Sequence, residues 1–397
     1  MLELECAVQS YKWGKRGNTS KVAELKVHEP SFELDAELPY AELWMGTHPN
    51  GPSFAHTEEK TCVSLFEWLQ QHPSHLGNST NQNLPFLFKV LSIGKPLSIQ
   101  IHPDKISAQR LHALHPDIYK DANHKPEMAI ALSQFEALCQ FRDISEISTF
   151  LETVVEFREL VQPQIVQQLV AKKDQEALKI FFEAFMNVDT QIIEAQVNKI
   201  VGRLNAVSVS QHSMVEKLVL RLHAAFPNDI GCFCPFLLNY LELKPGEAIF
   251  LASNEPHAYL SGDCVECMAC SDNVIRAALT SKLVDKVTLC ELLTYSTGLP
   301  TVQQGQQIDD KYRLYTSIVP EFQVERYDIP SHSTYDVPIR KAASILLILQ
   351  GTGRLRGESA EFSIQQGKVF LVSANEAIRF DCDSSPIQAY RACPREE

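Results

Sequence analysis

The sequence predicts a mainly β protein interrupted by an α-helical insertion, and three observations carry that expectation. Short apolar segments separated by Gly, Asn and Pro clusters fill the first hundred residues and return after Pro227. Between them, from residue 143 to about residue 222, the chain has almost no glycine and sets apolar residues three and four apart. The stretch 246–255 is weakly repeated at 367–376, which predicts two similar β units. A chain of 397 residues is also too long for one ordinary domain.

In chain order, Leu2-Glu3-Leu4-Glu5-Cys6 and Ala41-Glu42-Leu43-Trp44-Met45 read as strands. Ser64-Leu65-Phe66-Glu67-Trp68-Leu69 reads as a short helix, with Leu65 and Leu69 four apart. Phe86-Leu87-Phe88-Lys89-Val90-Leu91 is apolar enough for a buried strand, and Ser98, Gln100 and His102 fall on one face of the next extended run. Residues 105–115 have helical spacing, with Ile106, Leu111 and Leu114 expected on one side. In the insertion, Asp143 followed by Glu146 is a helix-start signal. Its stripe runs through Ile147, Phe150, Leu151, Val154 and Val155, then Ile165, Leu169, Leu178, Phe181 and Phe182.

From Leu241 to Leu251 the chain reads as a strand, a Pro245-Gly246 turn and another strand. A Pro-Gly-Glu turn before a strand, followed by a His-bearing turn, is typical of small antiparallel barrels of the cupin type. The second copy, around Ser344–Leu349 and Gln366–Val372, has Ala377 and Ile378 where the first has Pro256 and His257. It keeps the barrel pattern and lacks the histidine, so it is expected to bind no metal.

Apolar content of 45% and charged content of 21% are ordinary for a globular protein. A net charge of −13 gives nucleic acid or an anionic membrane little to bind. The opening residues lack the basic-then-apolar pattern of a signal peptide, and no apolar run is long enough to span a bilayer. A cytoplasmic protein with its 11 cysteines reduced is expected. Cys264, Cys267 and Cys270 resemble part of a zinc or iron–sulfur motif, but no partner pair follows them. They are expected to be core thiols.

Ser98-Ile99-Gln100-Ile101-His102-Pro103, His124-Lys125-Pro126-Glu127 and Glu255-Pro256-His257-Ala258-Tyr259 together offer two imidazoles, a carboxylate and an amide oxygen. Gln100, His102, Glu127 and His257 make a plausible zinc shell with a position left for substrate. With a single carboxylate, metal and ligands sum to about +1, which favours an anionic substrate.

These motifs, in this order, resemble type I mannose-6-phosphate isomerases. Tyr11-Lys12-Trp13-Gly14, Glu42-Leu43-Trp44-Met45-Gly46, Gly262-Asp263-Cys264-Val265-Glu266-Cys267 and Asp272-Asn273-Val274-Ile275-Arg276-Ala277 match as well. The resemblance runs from about residue 10 to the C-terminus and is thinnest in the middle third. It implies a catalytic jelly-roll barrel (1–142 and 227–300, the latter supplying His257 and Arg276), a helical insertion (143–226) and a metal-free C-terminal jelly roll (301–397). It implies one zinc per chain and interconversion of mannose 6-phosphate and fructose 6-phosphate through a cis-enediol, feeding GDP-mannose synthesis. A small-molecule sugar phosphate is then the partner, and a monomer is expected.

Under the resemblance, Arg276 is catalytic as a stabiliser of charge, since guanidinium does not deprotonate at working pH. Glu266 is the first choice for the proton-transfer base, with Tyr259, Asp272 and Lys282 at matching positions around the site. Asp272 and Lys282 are candidates to assist ring opening. Ser98 and Lys125 are candidates for the substrate phosphate, and Trp13 for the pocket wall. Three positions depart from the family pattern. Ile101 stands where a smaller Ala is usual and is expected to narrow the back of the pocket, and Ala278 and Ser281 replace Gly and Pro ahead of Lys282. Two rival readings are a non-catalytic cupin-type sugar-phosphate-binding protein and a cupin metal dioxygenase. The proton-transfer set counts against the first, and the Gln ligand with its phosphate donors against the second.

Overall fold

The computed structural model describes residues 1–57, 62–77, 82–358 and 360–396. Strands occupy both ends and helices the middle, so the protein is mainly β with a helical insertion. The first β unit sets Val302–Gln303, Ala248–Leu251, Glu127–Ala131, His257–Ala269, Phe86–Ile93, Glu42–Met45 and Ala7–Gln9 side by side in that order. All eight residues of Phe86–Ile93 are buried, as a strand covered on both faces requires. Phe86, Phe88 and Val90 enter one core together with Met128, Ile130, Val265 and Cys267. Leu91 and Ile93 enter the other with Ala129, Ala131 and Cys264. Period two then puts Lys89, Glu127 and Glu266 on that second side, the interior of the unit.

The 13-residue strand His257–Ala269 is the pivot. Its second half pairs with Phe86–Ile93 and Glu127–Ala131, and its first half with Phe135–Phe141. Between the halves the register shifts, and Gly262 adopts φ 108°. A Cβ there would lie 2.4 Å from the Gln134 carbonyl oxygen, so the corner needs glycine.

The second β unit packs against the outer face of the first through a shared core that includes Ile345, Leu347, Leu371 and Ala392. Its own interior is lined by Leu346, Ile348, Phe370, Ile378 and Phe380. Its large sheet is completed by Leu2–Glu5, Phe54–His56 and Cys62–Ser64, with Leu2 opposite Leu371. The stretch 301–397 therefore shares its sheet with the first strand of the chain.

The insertion runs as helices from Ile144–Thr153 to Met214–Ala225. Asp143 caps the first, accepting from the Ser145 N–H at 2.8 Å, while Glu146 pairs with Arg142 instead of completing a capping box. Ile147, Leu151, Leu169, Leu178 and Phe181 are fully buried against Ile99, Ile101, Leu138 and Phe141 of the β unit. Val155 departs from the expected stripe and is 45% exposed, because the chain leaves the helix at Val154. The helix Lys105–Leu114 forms as expected but buries Ala108 and Leu111. Ile106 and Leu114 are 79% and 64% exposed. Ile106 is five residues from Leu111 and so points well away from it, and Leu114 ends the helix. Among the described residues no helix is long and apolar enough to cross a membrane.

Candidate metal centre

Ile99 and Ile101 flank Gln100 on a three-residue strand and both join the core beneath the helices. Alternation therefore turns Gln100 the other way, into the barrel. This corrects the expectation for Ile101: it fills the helical core and leaves the pocket wall untouched. Gln100 stands directly opposite His257 on one neighbouring strand and Arg276 on the other, and facing residues of antiparallel strands share a face. The Ser98 hydroxyl donates to the Gln100 amide oxygen at 3.1 Å.

His102, Glu127 and His257 bring their ligand atoms within 4.8 Å of one another, and all three are buried. The His102 Nδ1–H donates to the Asn273 carbonyl at 2.7 Å and the His257 Nδ1–H to the Glu255 carbonyl at 3.0 Å. A carbonyl accepts only from N–H, so each Nε2 carries a lone pair. Both Nε2 atoms are buried without a hydrogen-bond partner. They approach Glu127 Oε2 at 3.5 and 3.6 Å. Burial holds both imidazoles neutral, taking His257 down to about 4. Burial would raise Glu127, but its surroundings, led by the Lys125 ammonium at 3.2 Å, outweigh it and keep the carboxylate ionised. Two orphaned lone pairs aimed beside a buried carboxylate are what a zinc-class dication would satisfy, so the residues fit the metal.

Glu266 lies across the same interior. The Tyr259 hydroxyl donates to its Oε1 at 2.9 Å, and Lys89 Nζ to its Oε2 at 3.1 Å. Burial first, and the Glu127 charge second, push the Glu266 carboxyl above its ordinary value. Lys89 also reaches Glu42 at 3.5 Å and lies 5.1 Å from the Trp44 ring centroid. Burial works against its ammonium, but Glu42 and Glu266 more than offset that and keep it charged.

The other expected residues are placed as follows. Asp272 is at the rim, 3.3 Å from His48 Nε2 and receiving Asn50 Nδ2 at 3.0 Å, and the His48 contact lowers its carboxyl. Arg276 is half-buried on its strand beside Gln100. Trp13 stacks on Tyr11 at 5.8 Å and packs against the interior core. Lys282 is exposed, and among the described residues no ion pair or hydrogen bond links its side chain to the cluster. Cys264 and Cys267 are buried and Cys270 nearly so, all free thiols, with Cys270 pushed up to about 12 by burial.

Several residues that shape the site were not singled out from the sequence. Lys89 is the clearest, and a lysine inside an otherwise apolar buried strand was the signal. Asp121 is another. It accepts from the Ser271 hydroxyl and the Asp272 N–H, both at 2.8 Å, and so clips the loop before Glu127 to the loop that orients His102.

Two family models match: type I phosphomannose isomerase catalytic domain over residues 1–144 and its helical insertion domain over residues 151–238. Mannose-6-phosphate isomerase 1 of Arabidopsis thaliana is 42% identical, covering 98% of this chain and 93% of its own. The Homo sapiens mannose-6-phosphate isomerase is 42% identical over 98% and 97%. A crystal structure of phosphomannose isomerase from Salmonella typhimurium superposes with TM-score 0.87 at 28% identity, covering both chains fully. A mannose 6-phosphate isomerase bound with zinc and yttrium gives 0.85 at the same identity. With the buried His–Glu–His cluster set in this two-barrel, helix-inserted architecture, these likenesses leave one assignment: the chain belongs to the type I phosphomannose isomerase family.

Proposed function

We propose that this protein is a zinc-dependent aldose–ketose isomerase interconverting D-mannose 6-phosphate and D-fructose 6-phosphate through a cis-enediol. The supporting observation is the pair of orphaned Nε2 atoms on His102 and His257 beside ionised Glu127, in the same barrel as the Tyr259–Glu266–Lys89 group. One zinc per chain, held by Gln100, His102, Glu127 and His257, would supply Lewis-acid polarisation of the substrate oxygens. The chain's own groups then move and hold protons. Glu266, raised by burial, takes the proton from C2 and returns it to C1. Tyr259 and Lys89 fix both of its oxygens, and Arg276 beside Gln100 stabilises the negative charge developing on the substrate oxygen. Asp272 and Lys282 serve ring opening, Ser98 and Lys125 bind the phosphate, and Trp13 lines the pocket. The product supplies mannose for GDP-mannose synthesis, in the cytoplasm, from a monomeric enzyme.

A purely binding role fits less well. A buried Glu–Lys–Glu set is costly to desolvate and adds nothing to recognition of a sugar phosphate that the rim could not provide. The deciding experiment strips the metal with a chelator, assays conversion of mannose 6-phosphate to fructose 6-phosphate, and restores zinc. Activity is lost and then recovered; activity surviving complete metal removal ends the proposal.

A further inference from the structure

The sheet of the second β unit ends in three short strands, Leu2–Glu5, Phe54–His56 and Cys62–Ser64. Leu4 and Ala55 enter the core between the barrels and Val63 packs against it, so the residues between them face outward. Register then lines up Glu3 and Glu5, His56, and Cys62 on one face: Glu3 is opposite His56, and His56 is opposite Cys62. The carboxylate of Glu5, the imidazole of His56 and the thiol of Cys62 place their ligand atoms within 4.8 Å of one another. His56 Nε2 is 3.9 Å from Glu5 Oε2.

We propose that Glu5, His56 and Cys62 form a second metal site, separate from the His102–Glu127–His257 cluster, for a borderline-soft dication of the zinc class. Mixed carboxylate, imidazole and thiolate donors on three different strands match that class and match calcium or magnesium poorly. Among the described residues, Glu3 pairs with Lys368 and Glu29 with Lys26, while the ion-pair partner of Glu5 is His56. Glu5 and His56 also border a cavity of about 270 Å³ with His28 on its wall, which leaves room for a fourth ligand or water. The three ligands belong to three strands, so binding ties the edge of the sheet together.

Cys62 is the single exposed cysteine of the 11, which makes thiolate coordination readable. The zinc-loaded enzyme is titrated with Co²⁺, following thiolate-to-cobalt absorption in the near ultraviolet, metal content per chain and Tm. The expected result is one further equivalent bound, a thiolate band and a rise in Tm, with isomerase activity retained. Cys62→Ser and His56→Gln each abolish the band and the rise in Tm without loss of basal activity. No further equivalent, or a band that survives His56→Gln unchanged, overturns the site.

Discussion

The two barrels carry the same local device and put different things inside it. In the first, Gly246 (φ 88°) turns into Ala248–Leu251 and Asn254 (φ 64°) leads to His257. In the second, Gly367 (φ 86°) turns into Val369–Val372 and Asn375 (φ 62°) leads to Ile378. At the matching position one barrel presents an imidazole with an orphaned Nε2 and the other an isoleucine packed into the core. The second barrel also buries a carboxylate, Glu325, but satisfies it completely with Arg391, Arg340 and the Tyr312 and Tyr327 hydroxyls. Burial would raise Glu325, yet the two arginines outweigh that and lower it. A buried acid whose neighbours still have unused lone pairs is set up for a ligand, whereas one enclosed by donors is set up for stability.

Substitutions sharpen that contrast. The largest effect is expected at His257→Ala, which lowers kcat/KM by on the order of 10⁴-fold through loss of the metal, with Tm shifted by only a few degrees. A loss of Tm instead of activity would make the first barrel's cluster structural. Glu325→Gln does the reverse. It leaves the buried Arg391 guanidinium and the part-buried Arg340 short of charge and costs about 3–5 kcal/mol in denaturant unfolding, while the folded fraction keeps its kcat/KM. The Glu325 folded value is depressed, so its contribution is complete above the ordinary glutamate range and fades as pH falls through the lowered value. The variant accordingly loses less stability on acidification than the parent.

Next in size is Glu266→Gln, expected to lower kcat by about 10²–10³-fold and to stop solvent proton exchange at C2. Because Glu266 is raised and must be ionised to act as a base, the acidic limb of the parent's kcat/KM profile lies above the usual glutamate range. A limb at the ordinary value would assign the base elsewhere. The smallest change is Ile101→Val, which costs about 1 kcal/mol of stability and leaves KM for mannose 6-phosphate unaltered, since the side chain faces the helices. A shifted KM would return Ile101 to the pocket.

The buried His102–Glu127–His257 cluster is legible because its members sit in short motifs whose residue types are unusual together. The strand–helix–strand order was legible because periodicity changes sharply at residue 143. What stayed hidden depended on contacts between distant segments. Nothing near Asp121 announces that it will fasten Ser271 and Asp272. Alternation with Gln100 and His102 sets Ile101 on the opposite face of its strand, but only the packed helices show what covers that face. In Lys105–Leu114 the apolar residues lie on more than one side, and only packing decides that Ala108 and Leu111 are the buried pair.

Leu2–Glu5 pairs on one side with Phe54–His56, close in sequence, and on the other with Val369–Val372. During translation the opening strand must wait for nearly the whole polypeptide to emerge, on the order of 20–70 seconds at ribosomal speed. Until then one strand edge stands unpaired, an invitation to misassociation with neighbouring nascent chains. Premature termination upstream of residue 369 would leave that seam open for good.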